Sequence, residues 1–236
     1  MKRQALLYEG KAKKVYETDQ TDLVWITYKD EATAFNGEKY AQLQGKGELT
    51  NQLSSFFFHH LAEHGIPNHW VEMLSPTEQL VRRVTIIPLE VVVRNRVAGS
   101  LARRLGISEG TELPHPVVEF YYKSDELGDP LLTEDHIAVM SLATPQQVVE
   151  MREMALEVNR ALRRLFQANQ LQLVDMKLEF GVKEGRLLLA DEISPDTCRL
   201  WDMNTGKKLD KDRFRQDLGD VLEAYREVFK RVGGES

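Results

Sequence analysis

Four acids, one arginine, a proline and the only cysteine of the chain fall within the twelve residues Asp191 to Asp202. The stretch follows an apolar run, Leu187-Leu188-Leu189-Ala190. A buried strand therefore delivers a carboxylate to its own end and breaks into a polar loop. A packed core has no use for that density of unlike polar groups, whereas a site holding a metal and an anion does. Just upstream, Val174-Asp175-Met176-Lys177-Leu178-Glu179-Phe180 alternates strictly. Asp175, Lys177 and Glu179 share one face, and Val174, Met176, Leu178 and Phe180 share the other. Leu171 to Phe180 and Arg186 to Ile193 read as a hairpin around Gly185. A three- or five-residue loop there places Glu179 opposite Asp191, while a two-residue turn puts them on opposite faces. Two facing carboxylates repel unless a cation joins them. Magnesium is the natural choice, because it takes oxygen ligands and binds through one or two carboxylates plus substrate phosphates. The alternative is a solvated polar face with a lysine between acids.

Three further motifs carry charge in a pattern. Glu9-Gly10-Lys11-Ala12-Lys13-Lys14-Val15-Tyr16 sets a glycine turn and lysines between two strands, able to cover nucleotide phosphates or to be an ordinary basic hairpin. It lacks the second glycine, the Lys-Ser/Thr pair and the helix of a Walker loop. In Glu90-Val91-Val92-Val93-Arg94-Asn95-Arg96-Val97-Ala98-Gly99-Ser100 a buried strand ends in arginines before a glycine and serine open a helix. Arginine forks and free helix N–H groups suit an organic phosphate or carboxylate; a strand end with solvated arginines and a serine cap is the plainer reading. Lys123-Ser124-Asp125-Glu126-Leu127-Gly128-Asp129-Pro130 is by itself a turn. His60 and His64 have a zinc-compatible spacing but no second ligand pair. Cys198 has no base or resolving thiol beside it, and no serine sits in a nucleophile elbow.

The elements that must position these groups are mixed. Leu6–Tyr8, Lys14–Thr18, Leu23–Tyr28, His69–Met73, Leu80–Val84 and Leu89–Arg94 read as strands, and Leu49–Glu63 as a helix ended by Gly65 and Pro67. Pro88 marks Thr85-Ile86-Ile87-Pro88 as a connection between lobes. Ser100–Leu105 reads as a short helix and Val117–Lys123 as a strand. Thr144-Pro145-Gln146-Gln147 starts a helix running to about Asn169. A last helix starts near Asp210, with Phe214, Leu218, Val221, Leu222, Tyr225 and Phe229 as its core face. The 236 residues suffice for one large domain or two small ones. A net charge of −6 argues against general nucleic-acid binding. The lone cysteine rules out an internal disulfide and fits a reducing compartment. The absence of a signal core or a long apolar run points to a cytoplasmic enzyme rather than a membrane protein.

Taken together and in order, Tyr8–Lys13, Lys29–Gly37, Pro88–Asn95, Gly99-Ser100 and Asp191–Arg199 resemble SAICAR synthetase of purine biosynthesis, end to end. Phe35 departs from the pattern, which favours glycine there. The resemblance implies an α+β, two-lobed fold of antiparallel sheets with flanking helices, related to ATP-grasp and kinase-like nucleotide sites. Residues 1–84 would form a β-rich lobe covering ATP, and residues 85–236 a larger lobe with the metal and the substrate site. The implied reaction joins the carboxylate of the imidazole ribonucleotide CAIR to the amine of L-aspartate, with ATP as cosubstrate and Mg2+ as metal, giving SAICAR, ADP and phosphate.

By the same resemblance Lys11 and Lys13 contact ATP phosphates, Ala12 and Val15 lie in the covering turn, and Lys123 serves the nucleotide. Glu179 and Asp191 hold magnesium. Arg94, Ser100 and Arg199 bind the phosphate side of CAIR, and Glu90, Lys177 and Asp196 line the same pocket. Lys177, Asp175 and Asp129 are the candidates for catalysis, the two aspartates acting at the reacting carboxylate or at the aspartate site. Adenine contacts fall within Arg82 to Ile87. A homodimer is implied. A kinase-like phosphotransferase that stops at a phosphorylated product, and a nucleotide sensor without turnover, are the competing classes; an aspartate requirement for ADP release separates them.

Overall fold

The computed structural model describes residues 1–34 and 37–233, so Phe35 lies outside the described residues. Strands β1 (Arg3–Glu9), β2 (Lys13–Thr18) and β3 (Leu23–Tyr28) pair antiparallel. Val24, Ile26 and Tyr28 point inward from β3 while the residues between them are less buried, the period of a half-buried strand. A hairpin of β4 (Glu31–Ala34) and β5 (Lys39–Gln42) follows. Helix α1 (Lys46–Glu63) starts three residues before the predicted Leu49. Gly45 supplies the turn into it at φ 89°, and Gly47 lies so close to the Tyr28 carbonyl that a Cβ would come within 2.9 Å. Strands β6 (Trp70–Ser75) and β7 (Glu78–Arg82) complete a five-stranded sheet ordered β1-β2-β3-β7-β6.

The second sheet starts with β8 (Thr85–Arg96), which corrects the expected interruption at Pro88. The pairing slips between Glu179↔Glu90 and Gly181↔Ile86, so Pro88 sits in a bulge where no partner needs its missing N–H. Helix α2 (Gly99–Leu105), β9 (Glu112–Tyr122), β10 (Leu131–Leu132) and α3 (Glu134–Val139) follow. Helix α4 (Pro145–Ala168) has the predicted start: Thr144 and Gln147 form a reciprocal capping box, worth about 1 kcal/mol. Strands β11 (Leu171–Lys183), β12 (Arg186–Ala190) and β13 (Cys198–Asp202) close a six-stranded sheet with β11 between β8 and β13.

One face of this sheet is core. Leu89, Val91 and Val93 of β8 and Met176, Leu178 and Phe180 of β11 join Met151, Ala155, Val158, Leu162 and Phe166 of α4, and Leu53, Phe57 and Leu61 of α1, in one buried cluster. The opposite face carries the alternating charged residues. The single C-terminal helix expected from periodicity is two, α5 (Asp212–Arg215) and α6 (Val221–Arg231). Asp217, Gly219 and Asp220 adopt positive φ between them, and Leu218 is exposed rather than core. Helical spacing carried on through a turn that only left-handed residues could make.

Candidate active site

Directly opposed residues of antiparallel strands share a face, so the register of β9, β8, β11 and β13 writes the floor of the site in rows. Glu90 stands between Tyr121 and Glu179, Val92 between Glu119 and Lys177, and Arg94 between Val117 and Asp175, with Arg199 beyond Asp175. Above this floor lies a cavity of about 840 Å³. Lys11, Ala12, Lys13, Val15, Glu90, Arg94, Lys123, Asp129, Asp175, Lys177, Glu179, Asp191, Asp196 and Arg199 all line it. Ser100 does not, but its hydroxyl accepts a hydrogen bond from Arg94 at 3.0 Å. It is the second residue of α2, and Ala98 rather than a serine occupies the cap.

The turn of the central hairpin is Glu184-Gly185, two residues with φ of 52° and 75°, so Glu179 pairs with Ala190 and not with Asp191. In an unbroken strand Asp191 would face the core. The strand stops at Ala190, however, and Asp191 takes φ 62°, which frees it from the alternation. Its carboxylate thereby joins the lysines around Glu179. Lys13 pairs with Asp191 and, at 3.1 Å, with Glu192. Lys123 pairs with Glu179, and Lys177 bridges Glu90 and Glu179 at 2.9 Å each. Burial works against every charge here, yet the partners prevail. Asp191 and Glu192 hold the Lys13 ammonium well above its ordinary range. Glu179 and Glu90 do the same for Lys177, and Lys13, Lys177 and Lys123 hold Asp191 below the carboxylate range.

A second charged group occupies the other end of the same face. Asp175 is buried and accepts from Arg94 at 3.0 Å and from Arg199 at 2.8 and 3.1 Å. Arg94 also donates to Glu119 at 2.7 Å and to the Tyr121 hydroxyl at 3.1 Å. Arg199 also donates to Asp212 at 2.8 Å. Gly99, at φ 54°, lies against Arg199, whose guanidinium a Cβ would meet at 2.5 Å. Arg104, exposed on α2, reaches Glu119 and, at 2.6 Å, the Tyr121 hydroxyl.

Asp196 carries buried partners that spacing did not reveal: Lys46 on one oxygen and the Tyr225 hydroxyl, at 2.5 Å, on the other. Lys11 meets Asp125 at 2.6 Å on the rim, and Asp129 accepts the Ser124 N–H at 2.9 Å. Val15, Val24, Ile26 and Val81 form an apolar slot beside Arg82, Arg83, Val84 and Ile86. His69 also lines the cavity; burial and the nearby Lys13 push its imidazole down to about 3, so it stays neutral. Burial pushes the Cys198 thiol up to about 12, which suits a packed side chain and not a nucleophile. Sequence reading also missed Lys211 and Arg215, four residues apart, which line the cavity beyond Asp196. Among the described residues no group of three or more His, Cys, Asp or Glu is placed to hold a metal, and no helix is long and apolar enough to cross a membrane.

An antiparallel α+β fold whose large polar cavity is floored by alternating cations and carboxylates, with no activated nucleophile among the described residues, defines a class: enzymes that position anionic substrates for phosphoryl chemistry. Comparison with known proteins narrows it. The family model for SAICAR synthetase matches residues 6–232. The phosphoribosylaminoimidazole-succinocarboxamide synthase of Anoxybacillus flavithermus is 62% identical over 235 residues, covering 99% of this chain and 98% of its own. That of Bacillus subtilis is 59% identical over 230 residues, covering 97% and 95%. The crystal structure of the Ehrlichia chaffeensis enzyme of that name matches with a TM-score of 0.96 at 46% identity, over 98% of this chain and 100% of that one. A SAICAR synthetase solved in complex with ADP matches at 0.94 and 49% identity, over 97% and 98%. The chain belongs to the SAICAR synthetase family, the ATP-dependent enzymes that form SAICAR in purine biosynthesis.

Proposed function

We propose that the chain forms SAICAR by joining CAIR to L-aspartate through an acyl phosphate. A carboxylate is a poor electrophile because its leaving group would be oxide. Transfer of the γ-phosphoryl group of ATP to it makes phosphate the leaving group, and the amine of aspartate then attacks. Such transfer needs positioning and charge neutralisation more than covalent help. The observation that carries this reading is the single sheet face on which lysine-held carboxylates (Glu179, Asp191) stand beside an arginine-held one (Asp175).

In this reading Lys11, Lys13 and Lys123 neutralise the ATP phosphates, with Ala12 and Val15 against the nucleotide and adenine in the slot near Arg82 to Ile87. Arg94, Ser100 and Arg199 receive the phosphate side of CAIR. Glu90, Lys177 and Asp196 line the pocket between the two anions. Asp175, with both oxygens on buried arginines, positions those arginines rather than exchanging protons. Glu179 and Asp191 are hard oxygen donors of the kind Mg2+ takes; their lysine partners would turn to the substrate phosphates, and phosphates and water would supply the remaining ligands. When bound, the metal would add charge neutralisation at the transferred phosphoryl group. The lobe boundary at Val84–Thr85, a homodimeric state and a cytoplasmic location complete the proposal.

ADP release measured with CAIR and aspartate each omitted in turn tests it. Full turnover should need all three substrates, while positional isotope exchange in ATP should persist with CAIR alone. No exchange, with ADP free to tumble, would count against the acyl phosphate.

A further inference from the structure

Five lysines line the cavity, and four hold a carboxylate within ion-pair distance: Lys11 with Asp125, Lys13 with Asp191 and Glu192, Lys123 with Glu179, and Lys177 with Glu90 and Glu179. The fifth, Lys211, makes no ion pair among the described residues. Its backbone is fixed by a hydrogen bond from its N–H to the Pro195 carbonyl at 2.9 Å. Burial, with Lys46 and Arg215 nearby, pushes its ammonium below its ordinary range, and Asp196 opposes this only in part. A half-buried cation with no ion-pair partner is costly, and an anion arriving from the cavity lowers that cost.

Arg215 stands one helical turn on and lines the same end. One of its nitrogens donates to Asp212 at 2.7 Å, the aspartate whose other oxygen accepts from Arg199. This places Arg215 beside the arginine group at Asp175 while leaving the rest of its fork without a partner among the described residues. Thr33, Ala34 and Gly37 also line the cavity, from the β4–β5 hairpin, which Ala32 and Ala34 pack onto Phe214 beside Arg215 and which Lys39 ties to the Phe214 carbonyl at 2.6 Å. Two cations beside the arginine group proposed to anchor the ribonucleotide suit a small dicarboxylate.

We infer that Lys211 and Arg215 bind the two carboxylates of L-aspartate, the amine substrate, and select it over amino acids with one carboxylate. The assignment rests on the reaction proposed above and deepens it. The pair acts by charge at the carboxylates and leaves the amine free toward the acyl carbon.

Steady-state kinetics of Lys211→Met and Arg215→Lys, with each substrate varied in turn, test the assignment. Loss of a charge-assisted contact in Lys211→Met should raise KM for aspartate about 10- to 100-fold with KM for CAIR and ATP unchanged. The preference for L-aspartate over L-asparagine should narrow in the same variant. Arg215→Lys, which keeps the charge but loses the fork, should show the same split with a smaller rise. It also serves as the second probe if Lys211→Met melts at the assay temperature. A rise confined to KM for CAIR would give the pair to the ribonucleotide and overturn the inference, as would unchanged KM for aspartate in both variants. Wild-type enzyme that fails to make SAICAR from the three substrates would refute the reaction itself, a different outcome.

Discussion

Strand β11 holds two carboxylates on one face, four residues apart, and they are treated in opposite ways. Glu179 is held by the ammoniums of Lys123 and Lys177, with Lys13 and Asp191 alongside, and Lys123 and Lys177 keep about a third of their side chains exposed. Asp175 is held by the guanidinium groups of Arg94 and Arg199, both largely buried, with Glu119 and Asp212 occupying further nitrogens. An ammonium is a point charge on a flexible stem, whereas a guanidinium binds through a rigid fork. The lysine end can exchange its partners when phosphates or a metal arrive, and the arginine end cannot move without unpairing buried charge. One strand thus carries an adjustable site and a fixed one, and the two should fail differently.

The largest effect is expected at the adjustable end. Asp191→Asn should lower turnover about 100- to 1000-fold with little change in melting temperature, because Glu192 remains for Lys13. Near-normal turnover in that variant would sink the magnesium assignment. Asp175→Ala should, unlike Asp191→Asn, cost stability: a loss of about 3 kcal/mol in urea unfolding, as two largely buried arginines lose a shared partner while Glu119 and Asp212 remain. Unchanged stability there would erase the distinction between the two ends. Gly99→Ala forces a Cβ onto Arg199 at a left-handed φ and should cost about 1–2 kcal/mol. In kinetics it should raise KM for CAIR more than KM for ATP; an equal effect on both would show that the fixed end is not specific to the ribonucleotide.

The smallest effect concerns pH. Burial, with Asp212 beside it and Arg199 only partly opposing, pushes the Asp210 carboxyl up to about 7. Between about pH 4 and that value the folded chain holds a proton that the unfolded chain has lost. Stability from this group is therefore full at low pH and declines as pH rises, by up to about 1.4 kcal/mol per pH unit. Buried His69, neutral in the fold, acts in the opposite direction below its ordinary range. Unfolding free energies for wild type and Asp210→Asn, compared from pH 4 to 8, isolate the term. Wild type should lose stability relative to Asp210→Asn as pH rises, and a constant difference would refute the raised carboxyl.

Much of the fold was legible because it rests on local chemistry. The capping box at Thr144, the alternation of Val174 to Phe180 and the glycine after α1 each leave their mark within a few residues. Pro88 misled because a bulge, set by the partner strand, removes the penalty that proline normally brings. The C-terminal helix misled because apolar spacing persisted through a turn. The β4–β5 hairpin went unread: its strands are four residues each, and they are held by Phe214 from the far end of the chain.

The residue types by themselves determined the chemistry: carboxylates, lysines and arginines in clusters, no nucleophile, and a strand end that breaks into a polar loop. Only the tertiary structure decided which of these groups meet. Sequence periodicity left Glu179 and Asp191 dependent on a loop length, and the two-residue turn formed, which alone would have parted them. The left-handed backbone at Asp191 brought its carboxylate back to the lysines. The partnership of Lys46 with Asp196, 150 residues apart, and the absence of an ion pair for Lys211 among the described residues had no local signature. Side-chain direction follows from neighbours in sequence, but the pairing of charges follows from strands and loops that are adjacent only in the folded chain.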